Sequence, residues 1–232
     1  MFLNNIESII KRVESVIDLS SAKLSEEYFY QSLPLCIIDS VFSIGVTYTS
    51  TRNTVLRYCK YFDLKVYREY YELPTIEKQE SISQLIQKMK KIGTKRFAWE
   101  IFKNRQRTSS RNGILKSEAV LKFAEVLNSY EVEYFQDINK IINSSEFEER
   151  IKKIPGQKSG ISLKYFFMLI GSNDLIKPDR MVLGFLKNCM GKEVKLEEAQ
   201  ILLSEASELL KDKYENMNPR LLDHEIWKYM SQ

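Results

Sequence analysis

Apolar side chains recur along this chain at spacings of three and four. Ile6, Ile9, Ile10, Val13, Val16 and Ile17 form one such stripe, which places them on one face of a first helix. A second, short helix is expected over Ser25 to Ser32. Pro34 opens the strongly apolar run LCIIDSVFSIG, with Gly45 as its stop. Proline suits a first helical turn and glycine a helix end. Similar patterning predicts helices over Thr51 to Phe62, Ser81 to Ile92, Thr94 to Lys103, Leu115 to Leu127, Val132 to Ile142 and Phe147 to Lys153. Further helices are expected over Ile161 to Ile170, Arg180 to Met190, Leu196 to Lys211 and Pro219 to Met230. NRQRTSSRNG reads as a flexible loop. Val66 to Tyr71 alternates enough to be extended, with no evident partner strand. About a dozen short helices make this an all-α protein.

Composition narrows the chemistry. The 232 residues suffice for one large domain or two small ones. No apolar run is long enough to span a bilayer, and the N-terminus lacks the pattern of a signal peptide. An intracellular, cytoplasmic protein with no membrane partner is expected. The three cysteines, Cys36, Cys59 and Cys189, are far apart, which argues against a zinc site or an iron–sulfur cluster. His224 is the only histidine; it reads as a structural residue of the last helix, and His-based triads and metal sites are disfavoured. The net charge is +4, but from Lys88 to Arg111 nine basic residues meet one acid, Glu100. Phe97, Trp99 and Phe102 are interleaved. Such a stretch fits phosphate contact or a solvated helix face over an aromatic stripe.

One segment concentrates the remaining signal. In IPGQKSGISLKYFFMLIGSNDLIKPDR, Ile154 to Arg180, a Pro-Gly turn runs into an apolar helix. The glycines permit a tight turn, and a helix starting near Ser159 presents free N–H groups that suit an anion. Lys152, Lys153 and Lys158 flank it. Gly156, Lys158, Ser159 and Gly160 can therefore grip a phosphate, or form a plain turn between helices. Asp179 follows Pro155 by 24 positions. It can cap the helix from Arg180, carry chemistry, or do both, with Lys177 and Arg180 beside it.

This stretch resembles the helix-hairpin-helix motif and catalytic aspartate of the endonuclease III-like DNA glycosylases. SRNGILKSEAVLKFAEVL and PLCIIDSVFSIGVTYTSTRNTVLRYCKYF resemble upstream parts of the same family, in order, over roughly Pro34 to Asn188. The resemblance implies two lobes: a helical barrel over 34–171 carrying the hairpin motif (about 147–170), and a second lobe from 1–33 with 172–232. It implies a DNA glycosylase that flips a damaged or modified base, with Asp179 stabilising the cationic sugar. Double-stranded DNA is then the partner, and the protein acts as a monomer. Lys153, Arg105, Arg107 and Arg111 join the hairpin as DNA contacts; the last three border a loop that can equally be merely solvated. Asp39, Tyr48, Arg52 and Asn53 fall where the family lines its cleft. Asp39 can read a base edge, cap a helix or bind an arginine; Tyr48 can stack on a base or pack in the core.

The departures carry information too. The family's second hairpin glycine falls on Lys158. The lysine of its lyase members falls on Gly160, so a monofunctional enzyme is implied, with Lys158 as a displaced candidate amine. The wedge glutamine of some members falls near Gly45. No cofactor is implied beyond a monovalent cation at the hairpin. The alternatives are a non-catalytic helix-hairpin-helix DNA-binding protein and a glycosylase acting on modified bases of phage DNA in defence.

Overall fold

The computed structural model describes residues 2–69 and 72–231. Among them the protein is all-α, and extended backbone pairs only in two isolated antiparallel bridges. The chain divides into two compact units, one of Met1–Ser25 with Gly171–Gln232 and one of Glu26–Ile170. Residues 26–33, expected with the terminal helices, thus belong to the second unit.

The first unit packs α1 (Phe2–Val16), α9 (Arg180–Met190), α10 (Leu196–Leu210) and α11 (Pro219–Met230) against one another. Each contributes an apolar stripe: Ile6, Ile9 and Val13; Val182, Phe185 and Leu186; Leu202, Leu203 and Ala206; Leu221, Leu222 and Ile226. Local chemistry fixes their ends. Asn218 caps α11, accepting from the Leu221 N–H at 3.0 Å, with Pro219 next in line. Gly191 ends α9 in the left-handed region, where glycine adds no Cβ strain.

The second unit is built around α2 (Leu33–Phe42), all ten of whose residues are buried. It packs on α3 (Tyr48–Phe62), α4 (Ile82–Ile92), α6 (Lys116–Asn128) and α8 (Ile161–Ile170). Withdrawing each of Leu35, Ile37, Ile38 and Phe42 from water contributes about 1.5–3 kcal/mol. α5 (Thr94–Arg96) precedes a π-turn, and α7 (Ser145–Lys152) precedes the hairpin. At the start of α4, Ser81 and Gln84 cap each other, their side-chain–backbone bonds measuring 3.1 and 2.9 Å.

Four segments depart from the expected helices. Only Glu26–Tyr28 of the second helix forms, as a 3-10 turn. The chain then extends and pairs with the alternating stretch: the Gln31 N–H donates to Val66 O and the Arg68 N–H to Phe29 O. Tyr30 and Tyr67 stack across this bridge, ring centroids 5.6 Å apart. Residues 70 and 71 lie outside the described residues. The helix from Thr94 widens into a π-turn over Phe97–Ile101, and Lys103 ends it at φ +47°. The wider turn buries Phe97, Ala98, Ile101 and Phe102 and leaves Trp99 outward. The helix over 132–142 shrinks to a 3-10 segment, Phe135–Lys140. There the Asp137 carboxylate accepts the Glu133 and Tyr134 N–H groups, both at 3.0 Å, and so competes with the helix.

The fourth is the loop expected to be flexible, which is folded back on itself. The Thr108 N–H donates to Ile114 O, the Lys116 N–H donates to Gln106 O, and Arg107 pairs with Leu115. Lys116 also locks this loop to α2. Its side chain is buried, and its ammonium donates to Phe42 O at 2.9 Å and Ile44 O at 2.7 Å, where α2 ends, and to Gln106 Oε1 at 3.4 Å. A cation at a helix C-terminus satisfies carbonyls that have no partner within the helix and complements the helix dipole. Lys116→Met keeps the apolar stem but strands these acceptors. Charged hydrogen bonds of this kind contribute about 1.5–3 kcal/mol, so urea denaturation of this variant should show a loss of about 3 kcal/mol with the helical circular dichroism retained.

Candidate nucleic-acid interface

The turn between α7 and α8 is held from within. The Gln157 N–H donates to Ile154 O at 2.9 Å and the Gly160 N–H to Gln157 O at 3.0 Å. The Gln157 side chain is buried and accepts from the Ser162 hydroxyl of α8. Gly156 and Gly160 both lie at positive φ, +86° and +71°, a conformation that favours glycine at both positions of this turn. Pro155, Gly156, Lys158 and Ser159 are left exposed.

The turn meets the folded-back loop. A Cβ at Gly156 would collide with the Thr108 side chain and sit 3.1 Å from Thr108 O. Two regions distant in sequence, 105–111 and 156–160, therefore form one face. In and beside these two segments Lys103, Arg105, Arg111, Lys153 and Lys158 are exposed and make no ion pair among the described residues. Such uncompensated cations beside exposed turn backbone are what a nucleic-acid phosphate requires. Arg107 is exposed as well, and its guanidinium also donates to Gly113 O, bracing the loop. Lys152 is also occupied, paired with Glu148 and Glu149. Ile154 O and Gln157 O each accept one N–H within the turn and keep a second lone pair.

Asp39 lies inside α2 with no exposure. Its Oδ2 accepts from the Tyr30 hydroxyl at 2.8 Å and the Tyr165 hydroxyl at 3.5 Å. These tyrosines supply the partners that a buried carboxylate needs, so Asp39 is a core residue and offers no edge to a base. Burial raises the Tyr30 and Tyr165 hydroxyls well above the usual tyrosine range, and the Asp39 charge adds to it. Tyr48 is half-buried at the start of α3, its hydroxyl pushed up by burial and then by Glu27 and Asp39. Arg52 is exposed and acts on Tyr67, while Asn53 is half-buried. Tyr48, Arg52 and Asn53 therefore share the first turns of α3, with Asp39 sealed beneath.

Asp179, in the first unit, is the N-cap of α9. Its Oδ1 accepts from the Met181 N–H at 2.8 Å and the Val182 N–H at 3.2 Å. The capping role expected of it is met, and the side chain remains partly exposed. A second carboxylate supports the same turn. Asp223 of α11 is buried, and its Oδ1 accepts from the Lys177 N–H at 3.1 Å. The Asp179 N–H in turn donates to Lys177 O at 2.6 Å. Sequence reasoning passed over Asp223, since only the packing of α11 on α9 reveals it. His224, next to it, is buried in α11 as expected of a structural residue.

Burial, then the neighbouring Asp179, push the Asp223 carboxyl well above the usual carboxylate range, against a smaller opposing pull from Lys177. Burial likewise raises Cys59 to about 12 and half-buried Cys189 to about 11, which leaves neither poised as a thiolate nucleophile. Among the described residues no cluster of His, Cys, Asp and Glu could hold a metal ion, and no helix is long and apolar enough to cross a membrane.

The family model described as Domain of unknown function (DUF8548) matches residues 7–231, and the chain belongs to that family. No curated protein and no solved structure matches it.

The raised Asp223 carboxyl sets a pH dependence. The folded chain keeps this proton at pH values where the unfolded chain, with an ordinary value near about 4, has lost it. Stability from this group is therefore full below about pH 4 and is lost as pH rises toward the folded value. Asp223→Asn keeps an acceptor for the Lys177 N–H and removes the ionisation. Urea unfolding should show the variant gaining on the wild type as pH rises above about 4; parallel curves would contradict this assignment.

Proposed function

We propose that this protein is a DNA glycosylase that hydrolyses an N-glycosidic bond and leaves an abasic site. One observation supports the reading most: the hairpin of residues 154–160 joins the loop of residues 103–115 in a face of exposed, unpaired cations. That face suits a DNA backbone, which an enzyme must hold while it draws a base out of the stack. Asp179 follows the hairpin at the spacing of the glycosylases that the segment resembles.

In this reading Asp179 supplies the chemistry. Cleaving the bond to the base builds positive charge on the sugar, and a fixed carboxylate stabilises that charge and orients the attacking water. The two N–H groups of α9 hold Asp179 on Oδ1 and so fix its direction. Asp223 steadies the Lys177-Pro178-Asp179 turn from behind. Gly160 stands where lyase members carry their amine, so hydrolysis stops at the abasic site. A base pocket would draw on Tyr48, Arg52 and Asn53 rather than on Asp39, which the tyrosines enclose.

The alternative is a helix-hairpin-helix DNA-binding protein without catalysis. Its specific support is that helix capping alone accounts for Asp179. Substitution separates the two readings. Duplexes and phage DNAs with damaged or modified bases are incubated with the protein, and half of each sample is treated with alkali. The glycosylase reading expects strand breaks that require alkali and that fall by about a hundred-fold or more in Asp179→Asn, with DNA binding retained and no adduct trapped by borohydride. DNA binding without any such breaks would establish the alternative.

A further inference from the structure

The π-turn leaves a large aromatic ring in water. Trp99 is 53% exposed, although Phe97 and Phe102 on either side are completely buried. The Arg105 guanidinium lies 5.6 Å from the centre of its ring. Tyr61, 56% exposed, lies close enough to Arg96 to act on its charge. The backbone beneath is rigid. The Phe102 N–H donates to Phe97 O at 2.8 Å and the Asn104 N–H to Ala98 O at 2.9 Å. Arg57 closes the end of the turn, donating to Phe102 O at 3.1 Å and Lys103 O at 3.3 Å.

Charge along this stretch of the chain is one-sided. The only acid from residue 95 to residue 115 is Glu100, and Arg96 holds it through two bonds of 3.0 Å. Lys95, Lys103, Arg105 and Arg111 have no acid partner among the described residues. The loop that carries Arg105 and Arg111 also bears Thr108, which touches the hairpin at Gly156. An outward indole with the Arg105 guanidinium beside it, in a stretch rich in unpaired cations, meets both needs of an unpaired nucleotide: a flat surface for the base and positive charge for its phosphate. A base within a duplex has both faces stacked and cannot use the ring.

We infer that Trp99 and Arg105 form a stacking platform for an unpaired nucleotide, so that single-stranded DNA continues from the phosphate grip of the hairpin onto the π-turn. The inference rests on the DNA-binding part of the proposed function and adds to the duplex grip a place for an unpaired nucleotide. A protein partner would use the exposed ring equally well, but the excess positive charge favours the polyanion.

The chain has two tryptophans, Trp99 and Trp227, so Trp227→Phe leaves Trp99 as the sole indole. In this background, titration with oligo-dT at fixed salt should quench the Trp99 fluorescence, whereas a blunt duplex of equal length should leave it nearly unchanged. Trp99→Ala should weaken oligo-dT binding by about ten-fold or more, Trp99→Phe should retain most of it, and duplex affinity should stay within about two-fold. The exposed position makes the alanine variant stable, which its melting curve checks. Unquenched fluorescence, or an alanine variant that binds oligo-dT as well as the wild type, would overturn the inference; a protein-binding patch would give that result. Loss of alkali-dependent breaks with quenching intact would sink only the glycosylase reading. Breaks without quenching would sink only this one.

Discussion

The Lys116 ammonium is the contact on which the second unit's candidate interface depends. It sits at the end of a helix with no exposed residue, donates to two carbonyls there, and reaches Gln106 of the neighbouring loop. Burying a cation is costly unless its donors are taken up, and here backbone carbonyls at a negative helix end take them. The same residue begins α6, and its N–H fastens the base of the loop at Gln106 O. A loop rich in arginine and serine thereby acquires a fixed shape. With that shape Thr108 reaches the hairpin, and exposed Arg107 braces the loop through Gly113 O.

The apolar pattern disclosed the helices well because their signals are local. α9 and α11 begin and end where Asp179, Gly191 and Pro219 announce them. The misses come from interactions between residues far apart in the chain. Tyr67 had no visible partner because Tyr30 looked helical. Asp137 drew two N–H groups away from a helix that its apolar neighbours implied. The π-turn has no period of its own; it exists because Phe97 and Phe102 both find room in one aromatic cluster, with Phe42 5.1 Å from Phe102 between ring centres. The candidate site divides in the same way. The hairpin glycines and the Asp179 cap were legible, since turn chemistry and capping are short-range. The enclosure of Asp39 by tyrosines, the support of Asp179 by Asp223 and the outward Trp99 were not.

Buried charge is handled differently in the two units. Asp39 Oδ2 and the Lys116 ammonium bond to hydroxyls and carbonyls inside the second unit, and the exposed cations of its loop and hairpin make no ion pair among the described residues. In the first unit a buried carboxyl, Asp223, lies behind a partly exposed one, Asp179, and both hold the same turn. In the proposed reading the carboxylate meets positive charge on the sugar and the cationic face holds the strand.

The central claim is that the hairpin and the folded-back loop together bind DNA phosphates. Its most direct test is the salt dependence of duplex binding, compared between the wild type and the double variant Lys158→Gln, Arg111→Gln. Each phosphate contact contributes about −0.9 to the slope of log affinity against log salt. The account expects steep salt dependence in the wild type and a slope shallower by about two in the double variant, with its thermal stability unchanged. A wild type that binds no duplex, or a double variant with the same slope, would contradict it.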